Sequence, residues 1–219
     1  MTTPTTPDAA QLRATPPWEW LHQSLMPDYN RKTAAYWWTV VLLGFSALLY
    51  SVLSVASMSL FEQEQILVGV AAAMLAGYFP VRIGRSKSSF VAGEVFVFLL
   101  LLLQGPATAA LAAACESLIG SWRTSKRWTS RIISPLISAL AIFACGSLLK
   151  ATLGALERAG LTNGGLTVIA AMVSAVLYFW VTSLLVSAVP RLKRNERIQW
   201  ADWVGVFGWV GIAFAASGE

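Results

Sequence analysis

Apolar residues fall into long runs along this chain, separated by short polar or basic segments. The runs are 36–58, 66–81, 90–104, 107–120, 132–151, 166–189 and 202–217. A helix needs about 20 mostly apolar residues to cross a bilayer, so each run is a candidate span. The pattern predicts an all-α, polytopic membrane helical bundle of about seven transmembrane helices with a cytoplasmic N-terminus.

The residues around Gly105 decide the number of spans, because 95–120 is either one long kinked span or a hairpin of two short ones. Gly105-Pro106 favours the hairpin, since glycine tolerates a turn and proline opens a helix but breaks one that it interrupts. With the hairpin, only Lys150 and Arg158 of the 16 Lys and Arg residues lie on the outer side. A single span would divide the 16 evenly, so the positive-inside rule also favours the hairpin.

Composition supports a multi-pass membrane protein. Of the 219 residues 56% are apolar and 12% charged, and the mean hydropathy is +0.61. A water-soluble globule does not have this composition, and no sizeable soluble domain fits between the runs. The net charge of +5 comes from basic residues between the runs, so the lipid bilayer is the expected partner and nucleic acid is not.

The two ends of the chain carry separate expectations. Residues 1–35 are predicted to be a cytoplasmic tail without a signal peptide, disordered over 1–7 and with an interfacial helix as an option at 18–25. The last run stops at 217 on the outer side without a basic segment. We therefore expect that the chain is cut within or just after its seventh span.

The residue types needed for enzymatic chemistry are scarce. His22 is the only histidine, and the chain has no phosphate loop, HExxH, CxxC or Ser/His/Asp set. Cys115 and Cys145 lie within apolar runs, where they make neither a disulfide framework nor a zinc site. We expect no catalysis, no metal and no cofactor.

Two carboxylates, Glu94 and Glu116, lie inside apolar runs, and an ionisable residue at membrane depth is a functional candidate by default. Each is eleven residues from Gly105. A hairpin therefore puts both at one depth, about 16 Å from the turn and in the cytoplasmic half of the bilayer. The predicted partners are three arginines of the neighbouring basic segments: Arg82, Arg85 and Arg123.

Three interpretations of the pair stay open. In the first, the arginines and water neutralise and solvate the two charges. In the second, the carboxylates form a site for a polar ligand, a cation or a shared proton. In the third, the two groups contact different partners and never meet. Aromatic residues in the spans either line a pocket or simply pack in the membrane core: Phe96, Phe98, Tyr178 and Phe179.

Other positions carry structural expectations. Gly69, Ala73 and Gly77 predict a close-packing face, against either this chain or a second copy. Tryptophans beside the basic segments, Trp37 among them, are expected to be interface anchors. Glu62 lies in the first outer loop and is expected to be simply solvated.

The run 88–128 resembles the N-terminal integral-membrane sensor regions, of the MASE type, that precede GGDEF or HD-GYP domains in bacterial cyclic-di-GMP signalling proteins. The matching features are a polar entry at Gly93-Glu94, an apolar run to Gly105-Pro106, an Ala-rich return to Glu116 and a basic loop. The likeness extends over about 81–217.

The resemblance implies a homodimeric sensory module that reads a signal or small ligand within the membrane and passes it to a cytoplasmic output domain. The chain itself has no GGDEF, EAL or HD-GYP motif, so cyclase or phosphodiesterase activity is not implied. The alternative is the membrane substrate-binding component of a small-solute transporter. A structural or assembly protein without a ligand is the third option.

Overall fold

The computed structural model describes residues 31–78, 81–82, 89–90, 93–161 and 163–194. This part of the chain is all-α apart from one short strand pair. Its helices are α1 (Arg31–Ala56), α2 (Leu60–Tyr78), α3 (Gly93–Leu103), α4 (Pro106–Thr124), α5 (Trp128–Arg158) and α6 (Gly164–Arg194). Strands β1 (Val81–Arg82) and β2 (Ser89–Phe90) pair antiparallel between α2 and α3, which the apolar pattern did not predict.

Three of these helices are long and apolar enough to cross a membrane: α1, α5 and α6 as far as Leu192. They indicate a membrane protein, as the composition predicts. The prediction of seven spans is not supported, because α3 has 11 residues and is about 16 Å long, half of a hydrocarbon core of about 30 Å. The predicted seventh run at 202–217 and the tail at 1–30, with its candidate interfacial helix, lie outside the described residues.

A sharp turn at Gly105 separates α3 from α4. Gly105 has φ 100° and ψ −174°, a region that only glycine adopts readily, and Pro106 begins α4. The amide of Gly105 donates to the carbonyls of Leu100 and Leu101 at 3.1 Å, and the Thr108 hydroxyl donates back to the Gly105 carbonyl at 2.8 Å. The chain therefore forms a helical hairpin here rather than one kinked span.

The start of α2 is fixed by a reciprocal cap that the sequence analysis missed. The amide and hydroxyl of Ser59 donate to the Glu62 carboxylate at 2.9 and 2.8 Å, and the Glu62 amide donates to the Ser59 hydroxyl at 3.4 Å. These bonds, the one from the Ser59 hydroxyl first, lower the pKa of Glu62. Glu62 is exposed, as expected of a loop carboxylate, but it also begins the helix.

Helices α4 and α5 form the centre of the bundle, and small side chains let the helices approach closely. A Cβ at Gly44 of α1 would lie 2.7 Å from the Leu136 carbonyl oxygen of α5, so the two backbones are nearly in contact. The fully buried residues of α4 and α5 are mainly alanines: Thr108, Ala109, Ala110, Ala112, Ala139, Ala141 and Ile142.

The small residues of α2 pack within the chain. A Cβ at Gly69 would lie 2.8 Å from the Leu100 side chain, and Gly77 faces Glu116. Trp37 likewise lies between helices: it is only 4% exposed, and its Nε1 donates to the Thr129 carbonyl at 3.4 Å. Its predicted role as an interface anchor is therefore wrong.

Most described basic residues lie at one end of the bundle. The bond from Trp37 to Thr129 joins the starts of α1 and α5, and the Tyr36 hydroxyl donates to the Leu185 carbonyl near the end of α6 at 2.8 Å. This end, here called the basic end, holds Arg31, Lys32, Arg123, Lys126, Arg127, Arg131 and Arg191. Lys150 and Arg158 lie toward the opposite end of α5. The described basic residues are therefore concentrated at one end of the bundle, as the hairpin predicts.

Candidate functional site

The Glu116 side chain lies in a space that two glycines leave open. Glu116 is on α4 and is 7% exposed. A Cβ at Gly77 would lie 2.9 Å from its Cγ, and a Cβ at Gly93 would lie 2.5 Å from its Cδ and 2.9 Å from the Ala73 carbonyl oxygen. Any larger residue at Gly93 would occupy the position of the carboxyl group, so the site depends on both glycines.

Glu94 lies beside Glu116 and completes the pair. It belongs to the first turn of α3 and is half-buried. The two carboxyl groups are close enough to interact electrostatically, so the hairpin brings them together. Both lie at the N-terminal end of α3, where the helix dipole favours negative charge.

Tyr178 of α6 lies near the pair. It is 6% exposed, lies within electrostatic range of both carboxyls and next to the hydroxyls of Ser138 and Thr182, and meets the Phe98 ring edge-on at 5.6 Å between centroids. We call Glu94, Glu116, Tyr178, Ser138 and Thr182 the polar cluster.

The polar cluster lies deep in the bundle. Tyr178 is the midpoint of the apolar stretch of α6 from Gly164 to Leu192. The Glu116 carboxyl faces Gly77, one residue from the Tyr78 carbonyl that accepts from Arg123, so the glutamate pair lies nearer the basic end than the turn at Gly105 does.

The predicted arginine partners are placed differently. The Arg123 guanidinium donates to the Tyr78 carbonyl at the end of α2 and lies 5.1 Å from the centre of the Tyr78 ring. The backbone of Arg82 pairs with Ser89 in the strand pair, and its side chain lies outside the described residues, as does all of Arg85. Of the three predicted partners, Arg123 is the one whose side chain is described, and it binds Tyr78 at the end of α2.

Two further features bear on ligand binding. In the described ranges, no three His, Cys, Asp or Glu side chains come together as a metal site would require. A cavity of about 310 Å³ lies between the end of α5 and the start of α6, with Leu153, Leu156, Glu157 and Leu161 in its wall. It is at the end of the bundle opposite the basic end and does not include the polar cluster.

No family model matches this chain. No curated protein and no solved structure matches it either. The case for a functional site therefore depends on the geometry of the polar cluster alone.

Sequence reasoning found the two glutamates and named Phe98 and Tyr178 only as aromatics of unassigned role. It missed Ser138 and Thr182, which are two of several hydroxyl-bearing residues inside the apolar runs. Their position within a span was the available signal, because a buried hydroxyl needs a hydrogen-bond partner.

Proposed function

We propose that this chain is an integral-membrane sensory module in which Glu94 and Glu116 bind and release a proton. The module would transmit this signal to a cytoplasmic output domain of the cyclic-di-GMP type that is not present in this chain. The observation that carries the proposal is the packing of the Glu116 carboxyl against Gly93, which places it within electrostatic range of Glu94 and of the buried Tyr178 inside an apolar bundle.

Charge balance supports an exchangeable proton. Two ionised carboxylates bring two negative charges to the start of α3, whereas a helix dipole offsets only about half a charge. An unbalanced charge in an apolar interior costs several kcal/mol, so the pair needs a proton or a cation. Arg123, the described arginine that was expected to supply it, bonds to Tyr78 instead.

Tight packing favours a proton over a solute. Glu116 fills the space between Gly77 and Gly93, and the Ala73 carbonyl closes the same space. A substrate-binding subunit of a small-solute transporter, the alternative function, would need room for its solute among the helices. The polar cluster is built for a small occupant, which supports sensing over solute uptake.

The proposed topology is multi-pass in the bacterial inner membrane, with the N-terminus and the basic end in the cytoplasm. The asymmetry of the described charges supports this orientation. Reporters inserted after Ser125 and after Gly160 would test it. We expect the reporter at 125 to be active only in the cytoplasm and the one at 160 only in the periplasm; the reverse pattern would refute the orientation.

A hydrophobic carbodiimide tests the site, because it modifies protonated carboxyl groups in apolar surroundings. We expect modification of Glu94 or Glu116 in the protein in lipid nanodiscs, decreasing as the pH rises and lost in the Glu94→Gln/Glu116→Gln variant. Glu157 is exposed and should stay unmodified as the internal control.

Three outcomes of this experiment count against a proton. If sodium or potassium suppresses the modification at constant pH, the site binds a metal cation rather than a proton. Modification that appears only after Arg82 or Arg85 is replaced by glutamine would show that an arginine neutralises the pair. No modification of either glutamate at any pH would refute the site.

A further inference from the structure

Helix α6 packs against the bundle along one face. The structure describes the α6 side chains from Gly164 to Leu192. Of these, only Ser174 and Tyr178 are buried. The Ser174 hydroxyl donates to the Cys145 carbonyl of α5 at 3.4 Å, and the carbonyl of Leu185 accepts from Tyr36 of α1. Tyr178 is the largest of its buried side chains, and four partly buried residues of α6 also pack against the core: Ala170, Val181, Leu185 and Val189.

The attachment at Tyr178 touches the proposed site. Its ring contacts Phe98 of α3, the hairpin helix that carries Glu94. The Thr182 hydroxyl, one turn further along α6, is buried next to the Tyr178 hydroxyl but makes no hydrogen bond of good geometry. The Thr182 hydroxyl could therefore form a hydrogen bond in another arrangement of α6 that it does not form in this one.

We propose that Tyr178 is a positioning residue that couples the charge of the glutamate pair to the position of α6. This inference rests on the proposed function of the pair. When the pair loses its proton, its second negative charge attracts the phenol O–H of Tyr178, which turns from Ser138 and Thr182 toward the carboxylates. The turn shifts α6 against α5, and the shift reaches the basic end through the last turns of α6.

Few other groups can contribute to such a response at this level. The titratable groups around Tyr178 are Glu94 from α3 and Glu116 from α4. Helix α5 contributes the neutral Ser138 hydroxyl, with the Cys145 thiol two turns away, and α1 meets α6 at Tyr36, two turns nearer the basic end. Among the groups that the structure describes, the glutamate pair is therefore the charge that acts on Tyr178.

Distances between spin labels on α1 and α6 test the coupling. Leu42 and Val186 are exposed and lie toward the basic end, so each can carry a label after replacement by cysteine in a chain whose two native cysteines are serine. In nanodiscs we expect the mean distance to change by about 1–2 Å between mildly acidic and alkaline buffer, as for other helix shifts. Tyr178→Phe keeps the ring but should lose this change.

Tyr50→Phe is the matched control, because Tyr50 is an exposed tyrosine of α1 whose ring meets Phe143 rather than the polar cluster. It should keep the full change in distance. Glu94→Gln/Glu116→Gln should abolish the change. Carbodiimide modification is measured on every variant, since it should remain in Tyr178→Phe if that residue positions α6 without forming the proton site.

The outcomes separate the two proposals. A Tyr178→Phe variant that retains the distance change refutes the coupling role while the proton site stands. The same holds for a wild-type chain with pH-dependent modification but an unchanged distance. A wild-type chain with no modification at any pH refutes the proposed function itself, and the coupling with it.

Discussion

The glycine at the start of α3 offers the sharpest structural test of the site. In Gly93→Ala the new Cβ would lie 2.5 Å from Cδ of Glu116 and 2.9 Å from the Ala73 carbonyl oxygen. Non-bonded carbon atoms prefer about 3.5–4.0 Å, so the carboxyl group must move by about 1 Å or more. The side chain of Glu116 can swing away, but the Ala73 carbonyl belongs to the backbone of α2 and cannot.

The expected cost follows from this overlap. Overpacking of a filled interior destabilises by about 1–3 kcal/mol. Gly120→Ala is the matched control: it makes the same chemical change within α4, where a Cβ would meet nothing within 4 Å. Alanine in a helix interior is favoured over glycine by up to about 1 kcal/mol, so the two variants should differ by about 1–4 kcal/mol.

Equilibrium unfolding in mixed micelles, titrated with a denaturing detergent and followed by tryptophan fluorescence, measures this difference. Gly93→Ala should also reduce carbodiimide modification of Glu116, because the carboxyl group is displaced, whereas Gly120→Ala should not. Unfolding free energies that agree within about 0.5 kcal/mol, the usual scatter of harmless substitutions, would refute the close packing of Glu116 against Gly93.

Three further substitutions test the frame around the site. Gly105→Ala should cost about 1–3 kcal/mol of unfolding free energy although its Cβ meets nothing within 4 Å, because of its φ of 100°; equality with Gly120→Ala would contradict the turn. Gly44→Ala should cost about 1–3 kcal/mol, since its Cβ would lie 2.7 Å from a carbonyl oxygen of α5; a stabilised variant would contradict that approach. Ser59→Ala should raise the pKa of Glu62 toward its ordinary value and speed amide exchange in the first turn of α2. Because the pKa of Glu62 is lowered in the folded protein, its carboxylate stabilises the fold at pH values above the ordinary carboxyl pKa, and this stability is lost as the pH falls through the folded pKa. Amide protection in the first turn of α2 that does not weaken in acid would therefore contradict the cap.

Much of the helical pattern could be predicted from the sequence, because apolar runs and helix-breaking residues are local signals. The predicted run 36–58 corresponds to Arg31–Ala56, and Gly105-Pro106 marks the hairpin. Boundaries were less predictable where polar caps or interfacial residues extend a helix. Helix α2 begins six residues before the predicted run at 66, since Ser59 and Glu62 cap it.

The site was predictable only where its members share one local element. Glu94 and Glu116 are equidistant from Gly105, so the spacing alone indicates one depth. Tyr178 comes from a helix more than sixty residues away in sequence, and its position depends on how α6 packs on α5. The fit of Glu116 between Gly77 and Gly93 is likewise a tertiary contact, which a run of apolar letters does not encode.

Infrared difference spectroscopy is the most direct test of whether the buried glutamates exchange a proton, because the carbonyl stretch of a protonated carboxyl group is distinct from the bands of a carboxylate. In lipid nanodiscs, the spectrum in acid minus that in alkaline buffer should contain this band for the wild-type chain. The band should weaken in Glu116→Gln and disappear in Glu94→Gln/Glu116→Gln. An unchanged band in the double variant would assign the proton to other groups and contradict the account.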